Sequence, residues 1–281
     1  MKVFSTVDEI KNHLKKIKED GKTIGFVPTM GALHEGHLSL IREAKNDSSY
    51  VVSSIFVNPD QFTNKEDLAK YPRNEKADIA LLEKEKCDVL FLPSVKEIYP
   101  ETNEINFDFG NLDKVMEGEF RPGHFQGVAR VVKRLFEIIE PQKAFFGMKD
   151  YQQMVIIHKL TKDYNLGVEI IPCPTQREDN QLAMSSRNER LSKQGKQEAS
   201  LIYQTLKMAK IQAGYMPIPE LKHAVERRVN KSKSLELEYF EIVDMYSLKS
   251  LNSWGGNKNV IACIAVNVGD VRLIDNMILF S

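Results

Sequence analysis

The chain has 281 residues, enough for one large domain or two modest ones with a substantial core. Its 39 lysine and arginine residues balance 39 aspartate and glutamate residues, so no overall field favours nucleic acid or a membrane surface, and any anion site must be local. Cys87, Cys173 and Cys263 lie far apart without a CxxC pair, which argues against a zinc knuckle or disulfide framework and favours small buried apolar residues.

The sequence contains no segment typical of membrane insertion or export. The apolar run at 259–269 is too short and too polar to span a bilayer, and the first 16 residues lack the apolar region and cleavage site of a signal peptide. We therefore expect a cytoplasmic protein.

Short apolar runs alternate with amphipathic ones through the first 175 residues. The predicted strands are 23–29, 50–58, 87–93, 143–147 and 167–173. Apolar residues three and four apart predict helices at 39–47, 74–86, 127–139 and 150–164. This order predicts a Rossmann-like, doubly wound α/β domain over residues 1–175, whose ligands bind beyond the carboxyl ends of the strands.

The pattern changes at 172–192, a polar segment with two prolines that is typical of a linker or a mobile loop. Helical patterns follow at about 192–213 and 218–231, and then strand-like runs at 235–244, 259–269 and 271–280. We expect residues 176–281 to form a smaller α+β domain.

Two histidines, His34 and His37, lie in the turn between the first predicted strand and its helix, with Gly31 and Gly36 nearby. Unpaired N–H groups at a helix start favour bound phosphate, glycines permit close approach, and two imidazoles three residues apart add donors. For a bare HxGH motif, ordinary surface or capping histidines remain an alternative. A metal pair is also open, although no third ligand is evident and the HExxH pattern is absent.

HxGH at this position resembles the signature of the nucleotidyltransferase superfamily, which includes class I aminoacyl-tRNA synthetases and adenylyltransferases. The fuller set of motifs resembles the pantothenate synthetase family: "PTMGALHEGHLSLI", "SIFVNPDQF", "YPR", "RPGHFQGVARVV", "FFGMKDYQQ" and "MSSRN". These motifs run in the family's order from residue 28 to residue 188.

The resemblance implies a two-step ligation. Pantoate attacks the α-phosphate of ATP to give pantoyl adenylate and pyrophosphate, and the amine of β-alanine then displaces AMP to form pantothenate. ATP is therefore expected as a substrate together with Mg²⁺, mostly held by phosphate oxygens and water. The resemblance also implies a homodimer, with no nucleic-acid or membrane partner.

The resemblance assigns residues to each substrate. It implies catalytic roles for His34, His37 and Lys149, and His37 is the residue to which the family's pattern usually gives a proton-donor role. Charge stabilisation is an equal alternative, since pyrophosphate bound to magnesium hardly needs a proton. Gln61 and Gln153 would hold pantoate, and Gln61 would also contact β-alanine. The implied ATP-binding residues are Met30, Gly31, His34, His37, Gly147, Met148, Lys149, Asp150, Gln176, Met184, Ser185, Ser186 and Arg187.

The chain departs from the family's pattern at two positions. Met148 stands where the family often has glutamate, and Gln176 replaces an apolar residue expected near adenine, which is harmless if only its backbone is used. Arg187 takes the place of a lysine in the KMSKS loop of the synthetases, and the resemblance implies that this loop closes over ATP. Four further candidates carry weaker signals: Asn58, Arg121 and His124 for the crevice, and Asp78 for magnesium.

Two other functions fit parts of the pattern. A different adenylyl- or cytidylyltransferase would share HxGH but give no reason for Gln61, Gln153 and "RPGHF". A non-catalytic nucleotide-binding or tRNA-binding module is the second, and the zero net charge argues against its RNA form.

Overall fold

The computed structural model describes residues 1–100 and 105–281. It contains a six-stranded sheet and a three-stranded sheet. The first sheet is formed by β1 (Lys2–Phe4), β2 (Ile24–Thr29), β3 (Tyr50–Ile55), β4 (Val89–Phe91), β5 (Lys143–Gly147) and β6 (Glu169–Cys173). Its strands are all parallel, in the order β1-β4-β3-β2-β5-β6.

Helices lie between and after these strands. They are α1 (Val7–Glu19), α2 (Glu35–Asp47), α3 (Lys65–Lys70), α4 (Glu75–Lys84), α5 (Val95–Ile98), α6 (Glu117–Phe120), α7 (His124–Ile139), α8 (Tyr151–Asp163), α9 (Lys193–Gln212) and α10 (Ile218–Val229). Three 3₁₀ turns cover Pro59–Gln61, Met148–Asp150 and Ser186–Arg190.

Alternate residues of the parallel strands face two different cores. Phe26 belongs to the core beneath α1, α7 and α8, whereas the next residue, Val27, belongs to the core beneath α2 and α4. A strand buried on both sides is apolar at most of its positions, which explains the long apolar runs. The predicted doubly wound fold is confirmed.

The predicted elements differ from the observed ones mainly at their ends. All five predicted strands of the first sheet are present, and β3 ends at Ile55 because Pro59–Gln61 turns the chain. The edge strand β1 and helix α1 were not predicted. The segment at 172–192 is not a structureless linker, since Arg177 and Ala183 form an antiparallel bridge and a 3₁₀ turn follows.

The second sheet is antiparallel and has the order β7-β8-β9, formed by Leu235–Asp244, Val260–Val268 and Val271–Phe280. One face packs against α9 and α10 in a core of its own. Residues of the other face, including Ile261 and Cys263, join the core of the parallel sheet. The smaller α+β unit is thus present and packed on the first, and a domain boundary at 175/176 stays a prediction.

The chain reverses its direction of travel across the sheet between β2 and β5. From β2 it moves outward through β3 and β4, and then returns to add β5 and β6 on the other side of β2. This reversal leaves a crevice at the carboxyl ends of β2 and β5, the place where such sheets bind ligands.

Among the described residues, no helix is both long enough and apolar enough to cross a membrane.

Gly127 sets how closely α7 approaches the turn at Pro59–Gln61. A Cβ atom there would lie 2.2 Å from the carbonyl oxygen of Asp60. We expect Gly127→Ala to lower the free energy of unfolding by about 1–3 kcal/mol, because the two backbones must separate. Denaturant unfolding measures this change. In the control Gly147→Ala, where a Cβ would meet nothing within 4 Å, the change should be much smaller, and equal losses would contradict the steric explanation.

Candidate active site

A cavity of about 240 Å³ opens at the carboxyl ends of β2 and β5. A second cleft of about 430 Å³ adjoins it towards the C-terminal sheet, and Lys149 and Arg187 line both. Most of the candidate residues contribute to the lining of the first cavity: Met30, His34, His37, Asn58, Gln61, Arg121, His124, Gly147, Lys149, Asp150, Gln153, Gln176, Met184, Ser185, Ser186 and Arg187.

Gly31 and Met148 lie beside the cavity rather than in its lining. Gly31 has φ +81°, a conformation that favours glycine, and thereby shapes the turn. The Met148 side chain packs against the main core, while its carbonyl oxygen accepts a hydrogen bond from Asn276. Any contact of Met148 with a nucleotide therefore depends on its backbone rather than on the side chain that departs from the family's pattern.

Asp78 is buried and fixes the turn after β2. Its two carboxylate oxygens accept hydrogen bonds from the backbone N–H groups of Ala32, at 2.9 Å, and Leu33, at 2.8 Å. The side chain is only 3 % exposed and does not line the cavity. The structure therefore favours a positioning role for Asp78 over the magnesium role that was a weak candidate from the sequence.

His34 and His37 cap the start of α2. Nδ1 of His34 accepts a hydrogen bond from the backbone N–H of Gly36 at 3.1 Å, and Nδ1 of His37 accepts one from the N–H of His34 at 3.3 Å. Because a neutral imidazole carries one proton, both rings hold it on Nε2. A Cβ on Gly36 would lie 2.8 Å from the His34 ring, so glycine makes room for this ring.

Both imidazoles are neutral near pH 7. Burial, and then the nearby charge of Lys149, lowers the pKa of His34 to about 4. Burial, His34 and Lys149 lower the pKa of His37 to about 3. The two rings therefore offer neutral N–H donors, and in this state the positive charge beside them comes from Lys149, not from an imidazolium.

Lys149 follows β5 in the turn Met148–Asp150, directly before α8. Its side chain is 18 % exposed, and its ammonium group lies 3.6 Å from the Asp150 carboxylate. At this distance the pair is loose, so the ammonium keeps the freedom to contact an anion in the cavity.

Gln61 is held on several sides at the end of the β3 loop. Its Oε1 accepts a hydrogen bond from Asn58 at 3.1 Å, and its Nε2 lies 3.0 Å from the sulfur of Met30. Asn58 is only 1 % exposed and in turn accepts a hydrogen bond from Tyr99 at 2.9 Å. Asn58 therefore orients the amide of Gln61.

Arg121 and His124 hold Gln61 through its backbone carbonyl. The Arg121 guanidinium lies 3.1 Å from Nε2 of His124 and can only donate, so the His124 proton is on Nδ1, which donates to the Gln61 carbonyl at 2.8 Å. Burial and the charge of Arg121 lower the pKa of His124 to about 4. Arg121 lies 3.6 Å from the buried carboxylate of Glu117.

Glu117 connects this chain of contacts to the C-terminal sheet. It accepts two hydrogen bonds from Arg272, at 2.6 and 2.8 Å, and one from Tyr239 at 2.9 Å. Although burial opposes ionisation, the Arg272 guanidinium keeps the pKa of Glu117 below its ordinary value. The carboxylate therefore stays charged.

The segment at 184–187 forms another part of the cavity wall. Ser185 caps the 3₁₀ turn Ser186–Arg190, and Arg187 donates to Asp67 of α3 at 2.9 Å. The backbone carbonyl of Gln176 accepts from Met184 at 2.9 Å. The Arg187 guanidinium is thus held by a partly exposed carboxylate that a phosphate would have to displace or share.

The charges around the cavity are balanced locally. Arg187 is paired with Asp67, and Glu117 is paired with Arg272 and lies near Arg121. The cationic side chains near the cavity thus lie beside carboxylates of the same chain. Neutral imidazoles suit this arrangement, since a further buried positive charge would be costly.

Sequence reasoning did not identify Asp67, Glu117, Arg272 or Asn276. Asp67 and Glu117 carry no distinctive local pattern. Asn276 belongs to the polar pair "DN" inside the apolar run "VRLIDNMILF", and two buried polar residues in such a strand are a signal that could have been used.

A crevice at a topological switch point that offers the Nε2–H groups of two neutral imidazoles and a lysine ammonium is suited to the phosphates of a nucleotide, so fold and site define a nucleotide-binding α/β enzyme. The family model described as pantoate-beta-alanine ligase matches residues 2–278. The chain belongs to this family of pantothenate synthetases. This membership decides against the two alternative functions considered from the sequence.

Similar sequences and solved structures support the same family membership. The chain is 52% identical over 281 residues to the pantothenate synthetase of Christiangramia forsetii, covering 99% of each chain. The crystal structure of pantothenate synthetase from Thermus thermophilus matches with a TM-score of 0.93 and 39% identity over 100% of both chains. The pantoate-beta-alanine ligase of Francisella tularensis, solved with beta-gamma ATP and beta-alanine, matches with a TM-score of 0.83 and 36% identity over 99% and 98% of the chains.

We expect His124 to lower the stability of the protein in acid. Its folded pKa of about 4 lies below the ordinary value of 6.5, so the unfolded chain binds more protons between these two pH values and stability falls as the pH falls. We expect the stability advantage of the unaltered protein over His124→Asn, which can keep a donor to Gln61, to shrink by about 3 kcal/mol from pH 7 to pH 4. Denaturant unfolding across this range measures the advantage, and a pH-independent difference would contradict the depressed pKa.

Proposed function

We propose that the chain joins pantoate to β-alanine in two steps at this cavity, with ATP as the activating substrate. In the first step a pantoate carboxylate oxygen attacks the α-phosphorus of ATP, the bond to the β-phosphate oxygen breaks, and pyrophosphate leaves. In the second step the β-alanine nitrogen attacks the acyl carbon, the bond to the phosphate oxygen breaks, and AMP leaves as the amide forms. The nitrogen loses its proton to solvent or to a phosphate oxygen.

The observation that carries the proposal is the convergence of His34, His37 and Lys149 with two glutamines, Gln61 and Gln153, at one crevice. A triphosphate needs donors and positive charge, and pantoate needs amides that bond its hydroxyl and carboxylate groups. Both requirements are met by side chains that face the same space.

The phosphate-facing residues have distinct roles in this proposal. His34 and His37 donate hydrogen bonds through Nε2 and hold their protons there, so they stabilise the growing charge on phosphate oxygens without giving up a proton. Lys149 supplies the compensating charge. Met30, Gly147, Asp150, Gln176 and residues 184–187 surround the nucleotide, and Arg187 clamps its phosphates as the segment excludes water from the adenylate.

The residues around the cavity fit a magnesium ion that arrives with the triphosphate. Among the described residues no cluster of three or more His, Cys, Asp or Glu could hold a metal ion. Asp150 is the acidic residue in the cavity lining, and Mg²⁺ commonly takes one carboxylate, with phosphate oxygens and water as its other ligands. When bound, the ion supplies neutralisation of phosphate charge.

The family resemblance further supports a cytoplasmic homodimer.

The test of the adenylate intermediate is exchange of labelled pyrophosphate into ATP with pantoate present and β-alanine absent. We expect exchange that depends on pantoate, because only a reversible first step returns label to ATP. A mixture without pantoate is the control. Absence of exchange in a preparation that makes pantothenate would contradict the two-step reaction.

Replacing Lys149 should separate the two steps. We expect Lys149→Ala to slow adenylation about 10²- to 10⁴-fold, since the ammonium acts as charge develops on the departing pyrophosphate. In the second step pyrophosphate has gone, so preformed pantoyl adenylate and β-alanine should give pantothenate within about tenfold of the unaltered rate.

The matched control is Lys143→Ala, which removes a lysine from the start of β5, the strand that Lys149 follows, where it pairs with Asp47 at 2.7 Å. This variant should keep both rates. Equal damage to both steps in Lys149→Ala would show that Lys149 organises the whole site rather than serving the phosphates.

A further inference from the structure

Strand β9 contains two adjacent buried polar residues, Asp275 and Asn276, which are 4 % and 8 % exposed. Most other residues of β9 are apolar, with Leu273 and Leu279 in the C-terminal core. Burial of a carboxylate and an amide is unfavourable unless both are fully hydrogen-bonded. Their partners therefore explain why this strand keeps them.

Asn276 holds the turn that contains Lys149. Its Nδ2 group donates to the carbonyl oxygens of Met148, at 2.8 Å, and Lys149, at 2.9 Å. An amide nitrogen has two hydrogens, so both donors are used on two successive carbonyls. These carbonyls precede α8, and this amide connects them across 127 and 128 residues of sequence to the C-terminal sheet.

Asp275 is connected to the segment at 184–187 through Arg177. It accepts two hydrogen bonds from Arg177, at 2.6 and 3.0 Å, and one from the backbone N–H of Asn276 at 2.8 Å. Arg177 also donates to the Gln181 carbonyl at 3.2 Å. Its bridge to Ala183 leads directly into the segment at 184–187. One dipeptide of β9 thus fixes two of the segments that line the cavity, the turn with Lys149 and the segment at 184–187.

We propose that Asn276 is a positioning residue for Lys149: its amide sets the direction in which the Lys149 backbone presents the ammonium group to the phosphates. The inference rests on the proposed function. Two bonds from one rigid amide restrain both position and rotation of the turn, whereas water at the same carbonyls would satisfy them without restraining either. The C-terminal sheet therefore contributes to adenylation without touching substrate.

The test is a double-mutant cycle on adenylation. We expect Asn276→Ala to lower the adenylation kcat about 10- to 100-fold while the KM for pantoate changes less than about threefold, since Gln61 is held by other contacts. In a Lys149→Ala background the same substitution should cost less than about threefold, because the group that it positions is gone. Losses that multiply in the double variant would overturn the proposal, as would an Asn276→Ala protein with unaltered kcat.

The matched control is Leu279→Ala, which removes a buried side chain from the same strand in the C-terminal core. We expect it to lower the melting temperature at least as much as Asn276→Ala but to keep the adenylation rate within about threefold below its melting temperature. Equal loss of rate would show that general weakening of β9 explains the effect and would overturn the proposal.

A milder variant and the unaltered protein complete the experiment. If Asn276→Ala does not fold, Asn276→Ser decides: one remaining donor should give a loss of about three- to tenfold, and no loss overturns the proposal. Pantoate-dependent exchange by the unaltered protein is measured in parallel. Its absence would count against the proposed function itself, whereas normal exchange with insensitive Asn276 variants counts against this inference alone.

Discussion

The cavity depends first on one buried carboxylate, that of Asp78. Its two hydrogen bonds to the backbone at Ala32 and Leu33 hold a turn in which Gly31 and Ala32 both have positive φ, +81° and +50°. Left-handed backbone at a non-glycine residue costs on the order of 1–3 kcal/mol, and each hydrogen bond to a charged group contributes about 1.5–3 kcal/mol. The bonds therefore outweigh the strain. These bonds thereby help to fix the start of α2, where both imidazoles line the cavity.

Three of the loops that line the cavity, those after β2, β3 and β5, are held in the same way. Each is fixed by a buried polar group from elsewhere in the fold: the first by Asp78, the β3 loop by His124, and the turn after β5 by Asn276. The carboxyl ends of parallel strands leave backbone groups without ladder partners, so such loops need outside partners to be rigid. In the loop after β2, the capping bonds use only Nδ1 of His34 and His37. The Nε2–H groups of both rings therefore remain available to a ligand.

Sequence patterns predicted what depends on local spacing. The spacing of apolar residues and the continuous apolar runs located five of the parallel strands and the three strands of the second sheet. The HxGH motif predicted that His34 and His37 lie at the crevice, and both line it. They did not reveal β1, which has only three residues and lies at the edge of the sheet. They also did not reveal the contact of Asp78 with the turn after β2, because its partners are 45 and 46 residues away and no local period reports such a contact.

One long-range contact near the cavity cannot be broken on one side without a large loss of stability. Arg177 and Asp275 form a nearly buried ion pair between the segment leading to residues 184–187 and the C-terminal sheet. Removal of one partner leaves the other charge buried and uncompensated, which commonly costs about 3–5 kcal/mol. That loss is comparable with much of a domain's total stability. The ion pair can therefore be altered safely only by replacing both partners together, whereas the neutral amide of Asn276 can be changed without stranding a charge.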